Sequence, residues 1–108
     1  VRENIEDALM RGENCAFYTP LRALPYLTSE GMQSYQSQIR FLDDTRHWHM
    51  KYFDGSPIQI ENFSDLAHHM PSRIFVMSLT FERQICDRLE SLDIASRNIS
   101  RLSNLLAE

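Results

Sequence analysis

Eight apolar residues near the end of the chain, Phe81, Ile85, Leu89, Leu92, Ala95, Ile99, Leu102 and Leu106, follow one another at intervals of three and four. That spacing places them all on one stripe of an α-helix, because side chains return to the same face every 3.6 residues. Asp87, Glu90, Arg97 and Arg101 fall off the stripe. The spacing predicts one amphipathic helix from residue 81, about 27 residues and roughly 40 Å long. A chain of 108 residues folds to a radius of gyration of about 13 Å, so such a helix outreaches the body it packs on. The apolar stripe does not fade where that cover ends, since Leu105 and Leu106 still follow. A homodimer formed through the C-terminal helix is the expected way to cover it. Asp93 is the residue suited to capping a break that would fold the last segment back.

The middle of the chain carries a different period. Ile39 and Phe41 alternate with Gln38 and Arg40, and His47-Trp48-His49-Met50-Lys51-Tyr52 alternates polar and apolar. Ile58 and Ile60 alternate with Gln59 and Glu61. The turn residues Asp43-Asp44-Thr45 and Asp54-Gly55-Ser56-Pro57 separate these runs. Period-two alternation broken by turns predicts an antiparallel meander with one buried face, formed by Ile39, Phe41, Trp48, Met50, Tyr52, Ile58 and Ile60. On the same register His47, His49 and Lys51 face water.

Around this centre the signals are shorter. Ile5, Leu9 and Met10 are spaced for a helix over residues 3–10, with Glu3, Glu6 and Asp7 in its early turns and Gly12 as its stop. Residues 15–18 suit a short strand, and Pro20 and Pro25 make the stretch that follows irregular. Asn62 is placed to cap a short helix over 63–70 that Pro71 limits. Residues 73–79 suit a buried strand, with Thr80 as N-cap of the final helix. Assembled, residues 1–108 read as a single α+β domain. It would have an antiparallel sheet of about four or five strands, an N-terminal helix and a long C-terminal amphipathic helix.

Composition narrows the function classes. Apolar residues make up 43% and aromatic residues 10%, which excludes intrinsic disorder. The longest apolar run, Ile74-Phe75-Val76-Met77, is far short of a membrane span, so no membrane insertion is expected. No basic-then-apolar leader opens the chain, and Cys15 and Cys86 form no disulfide framework or metal-type pair, so a cytoplasmic location is expected. A net charge of −4 argues against direct nucleic-acid binding. The chain opens on Val1, which suits a domain of a longer regulatory protein. Arginine outnumbers lysine ten to one, a bias favoured at protein interfaces.

Chemistry-bearing constellations are sparse. His47 and His49 share one face of a strand, and Asp43 or Asp44 in the neighbouring turn adds a carboxylate, so these are the metal ligands to test first. The wet face of a half-buried strand accounts for the same histidines, and neither a metal nor another cofactor is expected. His68 and His69 complete the four histidines that are the candidates for a metal site. Cys15 paired with a histidine has no motif behind it, and no GxSxG elbow is present. Three glycines do not supply a phosphate-cradling loop. Non-catalytic function is the expectation.

The segment Arg73-Ile74-Phe75-Val76-Met77-Ser78-Leu79-Thr80-Phe81-Glu82-Arg83-Gln84, with the apolar stripe behind it, resembles the end of PAS-type sensory domains. There a last strand closes the sheet, a Thr-containing turn caps the exit and a helix carries the signal onward. The Trp-centred run 47–52 suits the same family. Ser78 stands where the family has Asp, the segment 63–70 is an insertion, and the usual run of short helices is missing from the first half, so no ligand-binding residue carries over. The resemblance implies a ligand-sensing or dimerisation domain of a signalling or transcription-regulatory protein. Its output helix would carry Phe81, Ile85, Leu89, Leu92, Ile99, Leu102 and Leu106. Two alternatives stand beside it. One is a free-standing protein-interaction protein such as an immunity protein, secretion chaperone or adaptor, whose acidic surface meets a protein partner. The other is a small metal-binding enzyme that uses the histidines.

Overall fold

Cys15-Ala16-Phe17-Tyr18 and Ile74-Phe75-Val76-Met77 are buried at every position, so each run is covered on both sides rather than on alternate side chains. Strands of that kind belong to parallel sheets enclosed between two helical layers. A computed structural model of the chain describes residues 1–107 and shows this arrangement. The strands are β1 (Cys15–Tyr18), β2 (Ile39–Leu42), β3 (Ile60–Glu61), β4 (Arg73–Val76) and β5 (Ile99–Arg101). The α-helices are α1 (Arg2–Met10), α2 (Ser29–Ser34), α3 (Glu82–Glu90) and α4 (Leu102–Ala107). The strands lie in the order β3-β2-β1-β4-β5, with every neighbouring pair parallel.

Two apolar clusters divide the faces. Cys15, Phe17, Ile39, Phe41, Phe75 and Met77 pack with Ile5 and Leu9 of α1, Met32 of α2, and Leu102 and Leu105 of α4. Ala16, Tyr18, Leu42, Ile74 and Val76 pack on the other face with Phe63 and Leu66 and with Ile85, Cys86 and Leu89 of α3. Phe17 stands at the centre, level with Phe41 on one side and Phe75 on the other. The chain leaves β1 toward the α2 layer and β4 toward the α3 layer. Neighbouring parallel strands whose connections depart to opposite faces define the topological switch point of a doubly wound sheet.

The antiparallel sheet expected from the alternating centre is therefore replaced by a parallel one. Ile39, Phe41, Ile58 and Ile60 are buried as expected, but Trp48 is only half-buried, and Met50 and Tyr52 are 76% and 56% exposed. Residues Arg46–Trp48 form a 3₁₀ turn instead of a strand, and Met50 adopts a positive φ of 67°. The alternation there reflects a loop that dips Trp48 toward the core, not a pleat. One antiparallel bridge, Tyr52 to Gln59, survives around the Asp54-Gly55 turn, where Gly55 takes φ 76°. The reason lies in the flanking strands. Residues 15–18 and 74–77 are buried on both faces, so the sheet must be covered twice, and the crossovers required for that make it parallel.

The long C-terminal helix is also absent as one element. Phe81, Ile85, Leu89 and Leu92 belong to α3 and the turns at its ends, Ile99 to β5, and Leu102 and Leu106 to α4. Asp93 enters the left-handed region with φ 63°, and the chain turns back to lay Ile99 beside Ile74 as an edge strand. Pairing with β4 satisfies backbone groups that one projecting helix would have left the sheet to lose to water. The N-cap of α3 is Phe81 rather than Thr80, and the Ser78 Oγ accepts the Phe81 N–H at 3.1 Å. Asn62 does cap, within a reciprocal capping box with Asp65, although the turn it starts is the 3₁₀ segment Phe63–Ala67. Because glycine and short polar side chains enter the left-handed region at least cost and β-branched ones at most, Asp93→Val should cost about 1–2 kcal/mol while Asp93→Gly stays near neutral. Urea midpoints of the two variants check this, and equal stabilities would refute the Asp93 hinge.

Candidate functional site

β1, β2 and β4 all end on the same side of the sheet, so the residues just beyond them converge. Thr19 leaves β1 with φ 66° and ψ 63°. That conformation is strained for a β-branched residue and is over-determined by its neighbours. Its N–H donates to the Leu42 carbonyl at 3.1 Å, while the Tyr18 carbonyl accepts from Met77 at 3.0 Å. The β1 exit is thus tied to the ends of both β2 and β4. Pro20 and Pro25 then open two 3₁₀ turns, Pro20–Arg22 and Leu24–Tyr26, which hold Leu21 and Arg22 above the sheet end.

β2 runs into Asp43 and Asp44. Asp43 is only 8% exposed. Its Oδ1 accepts the Thr45 N–H at 2.8 Å, and its backbone carbonyl accepts from the His49 Nε2 at 2.8 Å. The Asp43 Oδ2 has no hydrogen-bond partner among the described residues. Asp44 belongs to a tighter group. The Tyr18 hydroxyl donates to its Oδ2 at 2.6 Å, and the Arg88 Nη1 stands 3.0 Å from both carboxylate oxygens and from the Tyr18 oxygen. The Arg88 guanidinium lies 3.7 Å from the centre of the Phe63 ring, a cation–π contact. Arg88 therefore clamps α3 to the ends of β1 and β2.

Between these groups is a crevice of about 490 Å³, within the range of small-molecule sites. Arg22, Asp43, Asp44, Thr45, Gln84 and Arg88 supply its polar lining, and Leu21, Trp48, Phe81 and Ile85 its apolar lining. The Arg22 guanidinium has no partner among the described residues. Phe81 is 56% exposed and lines the crevice. In doubly wound sheets ligands bind in this place, outside the carboxyl ends of the strands near the switch point.

Burial first, and then the hydrogen bond to Asp44, push the Tyr18 phenol well above its ordinary value of 10.0, so Tyr18 works as a fixed donor. A group whose pKa is raised by folding contributes stability that is complete below its unfolded pKa and lost as pH climbs through and beyond it. Tyr18→Phe should therefore lower stability by about 1 kcal/mol at pH 8, through the lost hydrogen bond. The same variant should decline less steeply above pH 10. Denaturant midpoints between pH 8 and 12 check both signs, and parallel curves would remove Tyr18 from the linkage. Cys15 and Cys86 contribute to the slope that remains, because burial pushes the Cys15 thiol up to about 12 and also raises that of Cys86.

The residues singled out in the sequence are distributed as follows. His47 is exposed on its 3₁₀ turn, His49 is half-buried against Asp43, and His68 and His69 are exposed, with the His69 carbonyl accepting from Arg40 of β2. Among the described residues no three His, Cys, Asp or Glu are grouped to hold a metal. Cys15 and Cys86 are free and buried. Phe81 and Ile85 of the expected output helix do line the crevice, as does Trp48 of the expected sheet core. Arg22, Thr19 and Arg88 were not identified from sequence, and Asp43 was singled out there only as a carboxylate beside His47 and His49. The available signal was the pair of acids that follow the run Ile39–Leu42, since residues just beyond the carboxyl end of a strand lie on the ligand side of such sheets. Among the described residues no helix is long and apolar enough to cross a membrane. No family model, curated protein or solved structure matches the chain.

Proposed function

We propose that the chain is a ligand-sensing regulatory domain that binds a ribonucleotide in the crevice at the carboxyl ends of β1 and β2. The observation that carries the proposal is Asp43, which ends the second strand, lines the cavity with Trp48 and Phe81, and keeps its Oδ2 without a hydrogen-bond partner among the described residues. Dinucleotide-binding doubly wound sheets use an acid at this position to accept ribose hydroxyls. A planar base has two aromatic faces to meet, and Arg22 is a guanidinium free to take a phosphate bidentately. The β1 exit, Tyr18-Thr19-Pro20-Leu21-Arg22, has no glycine. Its backbone does not wrap a pyrophosphate as a glycine-rich loop does, and the charge comes from a side chain instead.

Sensing follows from what the crevice touches. Phe81, Gln84, Ile85 and Arg88 are all at or on α3, so a ligand that engages them acts directly on that helix and on the Arg88 clamp. In this reading the domain works in the cytoplasm, where Cys15 and Cys86 stay reduced. Trp48 is the only tryptophan, so fluorescence excited at 295 nm reports on the crevice alone. Titration with ribonucleoside 5′-monophosphates is expected to give saturable quenching, at least about tenfold weaker for the 2′,3′-dideoxy forms, which offer no ribose hydroxyls to Asp43. Absence of saturation, or equal response to both forms, would falsify the ribose role of Asp43.

A further inference from the structure

A second cavity, about 610 Å³, opens on the other side of the β1 exit, and Leu21 and Arg22 line both. Arg22 is therefore the charged hinge between two spaces of unlike chemistry. The first has two carboxylates. The second has Arg22 as its one charged lining residue and is walled by Met77, Leu79, Leu102 and Leu106. The Ser78 hydroxyl on its floor is engaged by the Phe81 N–H. Leu21, Leu79 and Leu106 are 49%, 57% and 51% exposed. Single exposed leucines are ordinary, but three around one opening form a patch of the kind that marks a binding surface.

Resting on the ribonucleotide reading, we infer that the ligand is a nucleotide whose phosphate carries an apolar group, a nucleoside phosphodiester that spans both cavities. The nucleoside occupies the crevice at Asp43 and Trp48, and the phosphodiester lies on the Arg22 guanidinium. The apolar substituent passes under Leu79 and Leu106 into the second cavity. One arginine suits a phosphodiester, which carries a single negative charge and offers two unesterified oxygens to its planar fork. The position follows the geometry of the sheet, since the β1 exit divides the crevice at the switch point and leaves one binding half on each side.

The test compares uridine and adenosine 5′-monophosphates with their n-hexyl phosphodiesters, titrated by Trp48 fluorescence into the whole chain. The variant Leu79→Gln/Leu106→Gln makes the second cavity polar through two exposed positions and leaves the core intact. The phosphodiester is expected to bind at least about tenfold more tightly, given that each buried methylene contributes up to about fourfold. That gain should vanish in the double variant, while monophosphate affinity changes less than twofold. Arg22→Gln should weaken both ligands by about tenfold or more. Equal affinity of monophosphate and phosphodiester, or a gain that survives in the double variant, overturns the bipartite ligand and leaves the ribonucleotide reading standing. No saturable response to the monophosphate, with n-hexyl phosphate alone binding as tightly as the phosphodiester, overturns both readings in favour of a simple amphiphile. Self-association by sedimentation that the double variant abolishes would assign the second cavity to another copy of the chain and likewise refute the inference.

Discussion

Phe17→Ala is expected to lower the unfolding free energy by about 3–5 kcal/mol. Phe17 is fully buried in the central strand, where its ring stacks on Phe75 at 5.1 Å and 9° and meets Phe41 edge-on at 6.2 Å and 81°. Truncation removes its own transfer free energy, opens a cavity that three well-packed strands cannot collapse, and deletes two aromatic contacts worth about 0.5–1.5 kcal/mol each beyond their area. Against a total stability of about 5–15 kcal/mol for a domain of this size, the loss threatens folding itself. Phe17→Leu preserves most of the volume and should cost less than about 2 kcal/mol, which keeps the comparison measurable if the alanine variant does not fold. Urea unfolding at unchanged m-value reports both. An alanine variant within 1 kcal/mol of the parent would contradict the central place of β1, because only an edge strand or a loosely covered face tolerates that change.

Asp43→Asn should weaken ribonucleotide binding by about 10- to 150-fold, the equivalent of one hydrogen bond to a charged acceptor. The substitution is selective. The asparagine Oδ1 still accepts the Thr45 N–H that shapes the turn after β2, so the fold is retained. At the Oδ2 position an amide NH₂ replaces a carboxylate oxygen, and a donor then faces ribose hydroxyls where an acceptor stood. Asp44→Asn serves as the contrast. Asp44 is engaged by Tyr18 and Arg88, so its replacement should loosen the α3 clamp with a smaller loss of binding. Calorimetric titration with a monophosphate, beside thermal denaturation of each variant, separates the two effects. Equal binding losses in the two variants would mean that the pair acts as bulk negative charge, and the ribose assignment of Asp43 would fall.

Local signals were the legible ones. The helix at residues 3–10, the strand at 15–18, the Asn62 cap and the first half of the strand expected at 73–79, which ends at Val76, are written in neighbouring side chains and are present. The C-terminal stripe read correctly as apolar and wrongly as one helix, because spacing reports which residues avoid water and not which partner shields them. Leu89 finds the sheet within α3, Ile99 finds it as a strand, and Leu102 finds it from α4. The alternation at residues 47–52 misled for a related reason, since a loop can carry period two without being pleated. Two fully buried four-residue runs held the parallel sheet in plain view, and the regular alternation between them outweighed that signal.

The crevice was the least legible feature. Arg22, Asp43 and Arg88 are far apart in sequence, and none lies in a motif. They meet because parallel strands all end on one side and because the connections leaving β1 and β4 part toward opposite layers. By itself the sequence determined the short local elements outside residues 47–52 and most of the residues that leave water, since both depend on neighbours within a few positions and on side-chain polarity, although Met50 and Tyr52 stay exposed. Strand order, the direction of pairing, the break at Asp93 and the convergence of Arg22 with Asp43 were decided only by the tertiary structure. Those features depend on covering two apolar sheet faces at once, a condition no single segment of the chain carries.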